Sequence, residues 1–245
     1  AIGLVGSEMC IRDSVTIAPE QPTVERISQR VMFVDKENKD DLLVTVLREA
    51  NFDKVIIFTQ MKHVANKVAL HLSKSGIPAD AIHGNKSQGA RTRALDGFRS
   101  GKVRALVATD IAARGIDVSG ITHVINYHLP VEPETYVHRI GRTARAGAEG
   151  DAVSFCAAFE RDQLRAIERS IRKPISVDVD HEHHSERAAN ATGAEARPEP
   201  KGQRGARGPR GGRGQRTSRN ASAPRGGNRR AQPRRSRRST HRGSR

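Results

Sequence analysis

The sequence predicts an α/β protein: a parallel sheet with helices on both faces, followed by a long tail that does not fold. Three observations carry this. Short β-branched runs alternate with helical patterns over about 130 residues between Arg30 and Cys156, the signature of βαβ units. The runs are apolar at nearly every residue, as strands are when the sheet is covered on both sides. After Ala196 the chain is dominated by Arg, Gly, Ser, Gln and Pro, with hardly an aliphatic residue beyond Ala. Such a segment cannot bury enough apolar surface to offset the entropy of ordering.

In chain order, residues 1–23 stand apart. The first fourteen, AIGLVGSEMCIRDS, share no pattern with the rest of the chain and read as a translated adapter remnant ahead of a linker, Val15 to Val24. The chain is therefore expected to begin inside a longer protein. The folded unit is expected over 24–178. Val31–Val34 is its first strand and Lys39–Ala50 its first helix. Val55–Phe58 is wholly apolar and reads as a strand. Val64–Ser75 comes next as a helix in which Val64, Ala65, Val68, Ala69 and Leu72 share a face, and Gly76 stops it. Ala79–Ile82 is a less apolar strand, and Gln88–Arg99 a helix. Val103–Val107, Val124–Asn126 and Ala152–Phe155 complete the strands, and a last helix, Glu160–Arg172, ends ahead of Pro174. From Val179 the periodicity is lost, so 179–245 is expected to be disordered. His181-Glu182-His183-His184 lacks the H-E-x-x-H spacing and has no Cys nearby. It reads as polar linker, and no metal site is expected.

The net charge of +16 is not spread along the chain. Of 43 Lys and Arg residues, 17 lie in 197–245, with a single acid, Glu199; before that stand 26 basic and 26 acidic residues. The front of the chain is neutral and the tail carries the whole excess, a pattern that suits a polyanionic partner. Two cysteines, Cys10 and Cys156, cannot build a disulfide framework of the secreted kind. No apolar run approaches the ~20 residues needed to span a bilayer, so no membrane is expected and a reducing cytoplasm fits.

Four segments carry the chemistry. In an open parallel sheet, ligands collect beyond the carboxyl ends of the strands. Thr59 and Gln60 come after one expected strand, His83 and Gly84 after the next, and Thr109 and Asp110 after the next but one. Further on, His138-Arg139-Ile140-Gly141-Arg142-Thr143-Ala144-Arg145 sets three arginines three residues apart. On a helical turn such residues share a face, and guanidinium forks match phosphate oxygens in pairs.

These segments, namely Val55-Ile56-Ile57-Phe58-Thr59-Gln60, His83-Gly84-Asn85-Lys86-Ser87-Gln88-Gly89-Ala90-Arg91, Val107 to Asp117, and His138 to Arg145, resemble in order and spacing motifs IV, IVa, V and VI of the DEAD-box RNA helicases. The chain looks like the second RecA-like domain of that family. The wording HGNKSQGARTRAL and RTARAG is similar to the bacterial RhlE-type branch. The resemblance implies that Arg142 and Arg145 are arginine fingers toward the γ-phosphate of ATP, and that Arg139 braces the site against Asp117. It places Gly115 and Asp117 near the ribose and the attacking water, and makes His138 a coupler to the partner domain. Gly84, Gln88, Arg91 and Thr109 would contact the RNA backbone by shape and 2′-hydroxyls rather than by sequence. In the tail, Arg210, Arg213 and Arg225 lie in Arg-Gly tracts that can track an irregular phosphate backbone.

The chain departs from the family pattern at three points. Met61 stands where the motif IV segment often carries Thr, so a hydroxyl contact to an RNA phosphate is lost there unless Thr59 or Lys62 substitutes. Ala144 stands where motif VI commonly has Gly, a substitution tolerated if the backbone there is helical. The chain also contains no G-x-x-x-x-G-K-[ST] loop and no D-E-A-D run. ATP and Mg²⁺ are therefore expected to be held mainly by a first RecA-like domain, which would be a partner of this one along with RNA. The alternatives are an ATP-independent RNA-binding or annealing module acting through the basic tail, and an assembly platform.

Overall fold

The computed structural model describes residues 26–50, 52–114, 116–145 and 149–197. Residues 1–23, Gly115, Arg210, Arg213 and Arg225 lie outside the described residues. Seven strands run β1 Ile27–Phe33, β2 Val55–Phe58, β3 Ala79–Ile82, β4 Ala105–Ala108, β5 His123–Asn126, β6 Gly150–Cys156 and β7 Ser176–Asp178. They form one parallel sheet in the order β3-β4-β2-β5-β6-β1-β7. The helices are α1 Lys39–Glu49, α2 Lys62–Lys74, α3 Gln88–Arg99, α4 Asp110–Ala113, α5 Pro133–Ile140, α6 Arg161–Ile171 and α7 Glu186–Asn190.

Period-two alternation sorts the strand side chains onto two faces. Val55, Ile57, Val107, Ile125 and Val153 pack against α1 and α2. Ile56, Phe58, Leu106 and Val124 face α3 and α4 on the other side. Val31, Ala152 and Cys156 continue that side under α5 and α6. Every residue of β2 is at most 1% exposed, which is why its sequence is apolar without alternation. Burying such a side chain stabilises by about 1.5–3 kcal/mol each.

One buried ion pair crosses the layers. Lys39 Nζ lies 2.5 Å from Glu160 Oε2 and donates to the Tyr127 carbonyl at 2.8 Å. Glu160 accepts from the Leu129 and Ala157 amides. The start of α1, the end of β5 and the turn after β6 are thereby held together.

The structure continues past the expected boundary at 178. β7 pairs with β1, His184 bridges to Val34, and the Ser185 amide donates to the Phe33 carbonyl. Ser185 Oγ then caps α7 by accepting from the Ala188 amide, and Ala188, Ala191 and Ala196 are buried. This segment docks through backbone pairing and single alanines, so it leaves no hydrophobic periodicity to read. The sequence 181–184, read as linker, is part of the folded unit.

Candidate functional site

The chain leaves β4 on one side of β2 and re-enters at β5 on the other. Such a switch point opens a crevice at the carboxyl edge. Thr59 and Gln60 emerge there after β2, Thr109 and Asp110 after β4, and His128 after β5. Gln60 Nε2 donates to the Leu129 carbonyl at 2.6 Å, and its amide donates to His128 Nδ1 at 3.4 Å. Burial, helped by nearby Lys39 and Arg139, pushes the His128 pKa down to about 3, so the ring is a neutral acceptor.

The arginine row does not share a helix face. α5 ends at Ile140 with Gly141 as its cap, and the chain turns through 142–145. Arg139, on the last turn of α5, points inward and is 2% exposed. Its Nε and Nη2 donate to the two Asp110 oxygens at 2.6 and 2.8 Å. Nη1 donates to Asn126 Oδ1 at 3.1 Å and to the His128 carbonyl at 2.7 Å. The guanidinium also lies over the Phe58 ring, 5.0 Å from its centroid. The brace expected between Arg139 and Asp117 is therefore absent; Asp110 takes that part. Asp110 starts a helical turn where an acid is also favoured by the exposed amides.

Asp117 pairs instead with Arg145, Nη1 to Oδ1 at 3.1 Å, on the surface. Arg142 Nη1 donates to the Ile116 carbonyl at 3.4 Å. Burial, and then the nearby Arg145 guanidinium, lower the Arg142 pKa, while Asp117 opposes them. Two guanidiniums thus stand near one exposed carboxylate, which pairs with Arg145 alone, leaving a locally uncompensated cation. His138 is exposed beside them.

Thr143 fixes this turn. It is fully buried, and its hydroxyl lies within hydrogen-bonding distance of the Ile121 carbonyl, at 2.7 Å, and the Thr122 carbonyl, at 3.0 Å. A Cβ on Gly150 would collide with the Thr143 side chain and the Ala144 amide, so that glycine is required by close approach. Ala144 sits at φ +54°. The helical backbone that would suit alanine is not what the chain adopts; the left-handed turn favours glycine.

At the other end of the crevice, Gly84 and Gln88 are exposed and Arg91 is half-buried. A Cβ on Gly84 or Gly89 would meet nothing within 4 Å, and neither has a positive φ. Their lack of a side chain answers no internal need. Ser87 Oγ caps α3 by accepting from the Ala90 amide, and its first turn holds no acid. His83 Nδ1 accepts from the Asn85 amide at 3.3 Å, and Nε2 is 3.0 Å from Asn66 Oδ1. A neutral ring protonated on Nε2 satisfies both, and burial, then Lys86 and Lys62, lower its pKa. Thr109 is buried at the start of α4 without capping it through its side chain.

Thr59 cannot stand in for Met61, because it is fully buried with Oγ1 directed at the Met61 carbonyl. Lys62 is exposed, and its Nζ donates to Asn85 Oδ1 at 2.8 Å, beside Gly84. Asp110 and Asn126 are the supporting residues that the sequence left without a role. The adjacency of Asp110 to Thr109 was the available signal.

Residues 38–147 match the family model of the helicase conserved C-terminal domain. The chain is 40% identical over 163 residues to the DEAD-box ATP-dependent RNA helicase CshA of Bacillus licheniformis, covering 66% of this chain and 34% of that protein. It thus spans about a third of the length of the curated relatives it matches. Among solved structures it resembles the Escherichia coli DEAD-box protein SrmB bound to regulator of ribonuclease activity A, with 37% identity and TM-score 0.62 over 65% of this chain and 95% of that one. It also resembles S. cerevisiae Dbp5 bound to RNA and ADP BeF3, with 30% identity and TM-score 0.57 over 62% of this chain and 41% of that one. The chain belongs to the DEAD-box family as its C-terminal helicase domain, and its sheet is the RecA-like one of that domain.

Proposed function

We propose that this chain is the half of an ATP-dependent RNA helicase that supplies Arg142 and Arg145 to a nucleotide held between two RecA-like domains. The observation that carries this is the division of labour in the arginine row. Arg139 is consumed by Asp110, whereas Arg145 pairs with the exposed Asp117 and Arg142 donates only to the Ile116 carbonyl. Surplus guanidinium charge held ready at a crevice suits the charge that spreads over a transferring phosphoryl group. Among the described residues no group of three His, Cys, Asp or Glu could hold a metal ion, and the chain has no phosphate loop. We therefore assign Mg²⁺ and most of the ATP contact to the first RecA-like domain. Mg²⁺ supplies charge neutralisation when bound. Asp117 orients Arg145, and His138 faces the partner domain.

Gly84, Gln88, Arg91, Thr109 and Lys62 form the RNA side, where the open α3 N-terminus offers amides to a phosphate. The wording of the α3 segment favours the RhlE-type branch, and the setting is cytoplasmic. The test is a mixing experiment. Adding a first RecA-like domain carrying a phosphate loop and DEAD run should give RNA-stimulated ATP hydrolysis that neither part shows alone. Hydrolysis indifferent to this chain would overturn the proposal.

A further inference from the structure

We infer that a groove along α6, at the opposite end of the sheet from the RNA-side residues Gly84, Gln88 and Arg91, is a second docking track for the phosphate backbone of RNA. The concavity has a volume of about 750 Å³ and is lined by Arg165, Arg169, Arg172, Lys173 and Arg197, with Asp162 and Glu168 as its only acids. Those acids are already engaged. Asp162 accepts from Arg165 Nη1 at 3.1 Å and from Arg197 Nε at 2.9 Å. Glu168 Oε1 accepts from the Ile175 amide at 3.1 Å. Arg169, Arg172 and Lys173 are exposed and have no carboxylate partner among the described residues.

Arg165 and Arg169 lie one turn apart on α6, and Arg172, its left-handed C-terminal cap, and Lys173 continue the cations past its end. That gathers the cations along one groove, suited to a polyanionic ligand. The groove has little to anchor a protein partner: Pro174 is the sole apolar residue lining it, whereas protein interfaces are built around buried aromatic or aliphatic anchors. Arg197 also begins the stretch holding 17 Lys and Arg against one acid, so the groove and the tail are consecutive parts of one basic tract. Because the sheet order puts β3 and β4 at one end and β1 and β7 at the other, this track is separate from the RNA-side residues after β3 and β4. Its role is tethering, independent of ATP and of the arginine fingers. The competing explanation is that cations near the end of α6 merely complement its dipole.

The triple variant Arg169→Gln, Arg172→Gln, Lys173→Gln in the full 245-residue chain decides between them. Anisotropy titrations with a labelled single-stranded uridine homopolymer at several salt concentrations should show weaker binding. The slope of log K against log[salt] should shrink by about 2, using ~0.7 per lost phosphate contact for three cations. An unchanged slope with a lowered melting temperature would leave only the dipole role and overturn the proposal. So would displacement of the RNA by poly-glutamate at matched charge in wild type but not in the variant together with an unchanged RNA slope, which would mark an acidic protein partner. Photo-crosslinking of 4-thiouridine RNA to the wild-type chain, mapped by mass spectrometry, needs no variant to fold. Adducts within 165–173 are expected, and adducts confined to the tail and to residues 84–109 would contradict the proposal.

Discussion

Arg139 holds both oxygens of Asp110, at 2.6 and 2.8 Å, from a position 2% exposed to solvent. It reaches Asp110 from the last turn of α5 and so ties the segment after β4 to the segment after β5. Of the other arginines of the row, Arg145 is exposed and Arg142 is half-buried, donating to the Ile116 carbonyl.

The first prediction rests on that division. Arg139→Ala removes the buried partner of a pair whose Asp110 side chain is 36% exposed, and strands Asn126 Oδ1 as well, so it should cost about 2–3 kcal/mol of stability. Arg142→Ala and Arg145→Ala, nearer the surface, should each stay within about 1 kcal/mol of wild type. Denaturant unfolding of the three variants checks this; equal losses in all three would contradict it.

Ala144 at φ +54° gives a second prediction. Left-handed backbone costs an alanine about 1–2 kcal/mol, against which glycine gives up a buried methyl. Ala144→Gly should therefore be neutral or stabilising by up to about 1 kcal/mol. Gly150→Ala, by contrast, drives a methyl into Thr143 and Ala144 and should cost about 1–3 kcal/mol. A clear loss of stability in Ala144→Gly would mean that the turn is not as described.

A third prediction concerns acid. His128 titrates near 3 in the folded chain, against an ordinary value of 6.5. Below pH 6.5 the unfolded chain binds a proton that the folded chain refuses, so stability present above 6.5 is lost as pH falls toward 3. The loss from this residue is about 1.4 kcal/mol per pH unit within that window. His128→Asn should flatten the pH dependence of unfolding between 6.5 and 3. An unchanged profile would show that the imidazole is not held neutral by burial.

Much of the sheet was legible because β2 and β4 are covered on both faces and so apolar throughout, and β5 carries Val124 and Ile125 at its centre. β3 matched its expected range, and α3 did too, because Ser87 caps it and its apolar face repeats. What could not be read was the packing of short elements. β7 and α7 dock by backbone pairing and isolated alanines, and four-residue α4 has no period. Within the site, the edge position of Thr109 and Gly84 came from strand ends alone, whereas the arginine row was placed by the family resemblance. The direction of each arginine did not. α5 stops at Ile140, so a three-residue spacing that suggested one shared face became one buried, one half-buried and one exposed side chain.

A fourth prediction addresses the tail. If residues 197–245 engage about five phosphates, their deletion should weaken binding to single-stranded RNA and flatten the salt dependence by a slope of about 3.5. Sequence preference should stay low, since the tract has no aromatic residue to stack bases. Equal slopes with and without the tail would leave the binding to the folded unit.

The role of Arg142 and Arg145 is tested most directly by steady-state ATP hydrolysis in the protein that joins this chain to its first RecA-like domain, comparing wild type with Arg142→Ala and Arg145→Ala at saturating RNA. A fall in kcat of tenfold or more is expected in each, since such fingers are worth about 10³–10⁵ in GTPases, with RNA affinity changed only a few-fold. Near wild-type turnover in both variants would show that the pair is structural and contradict the assignment.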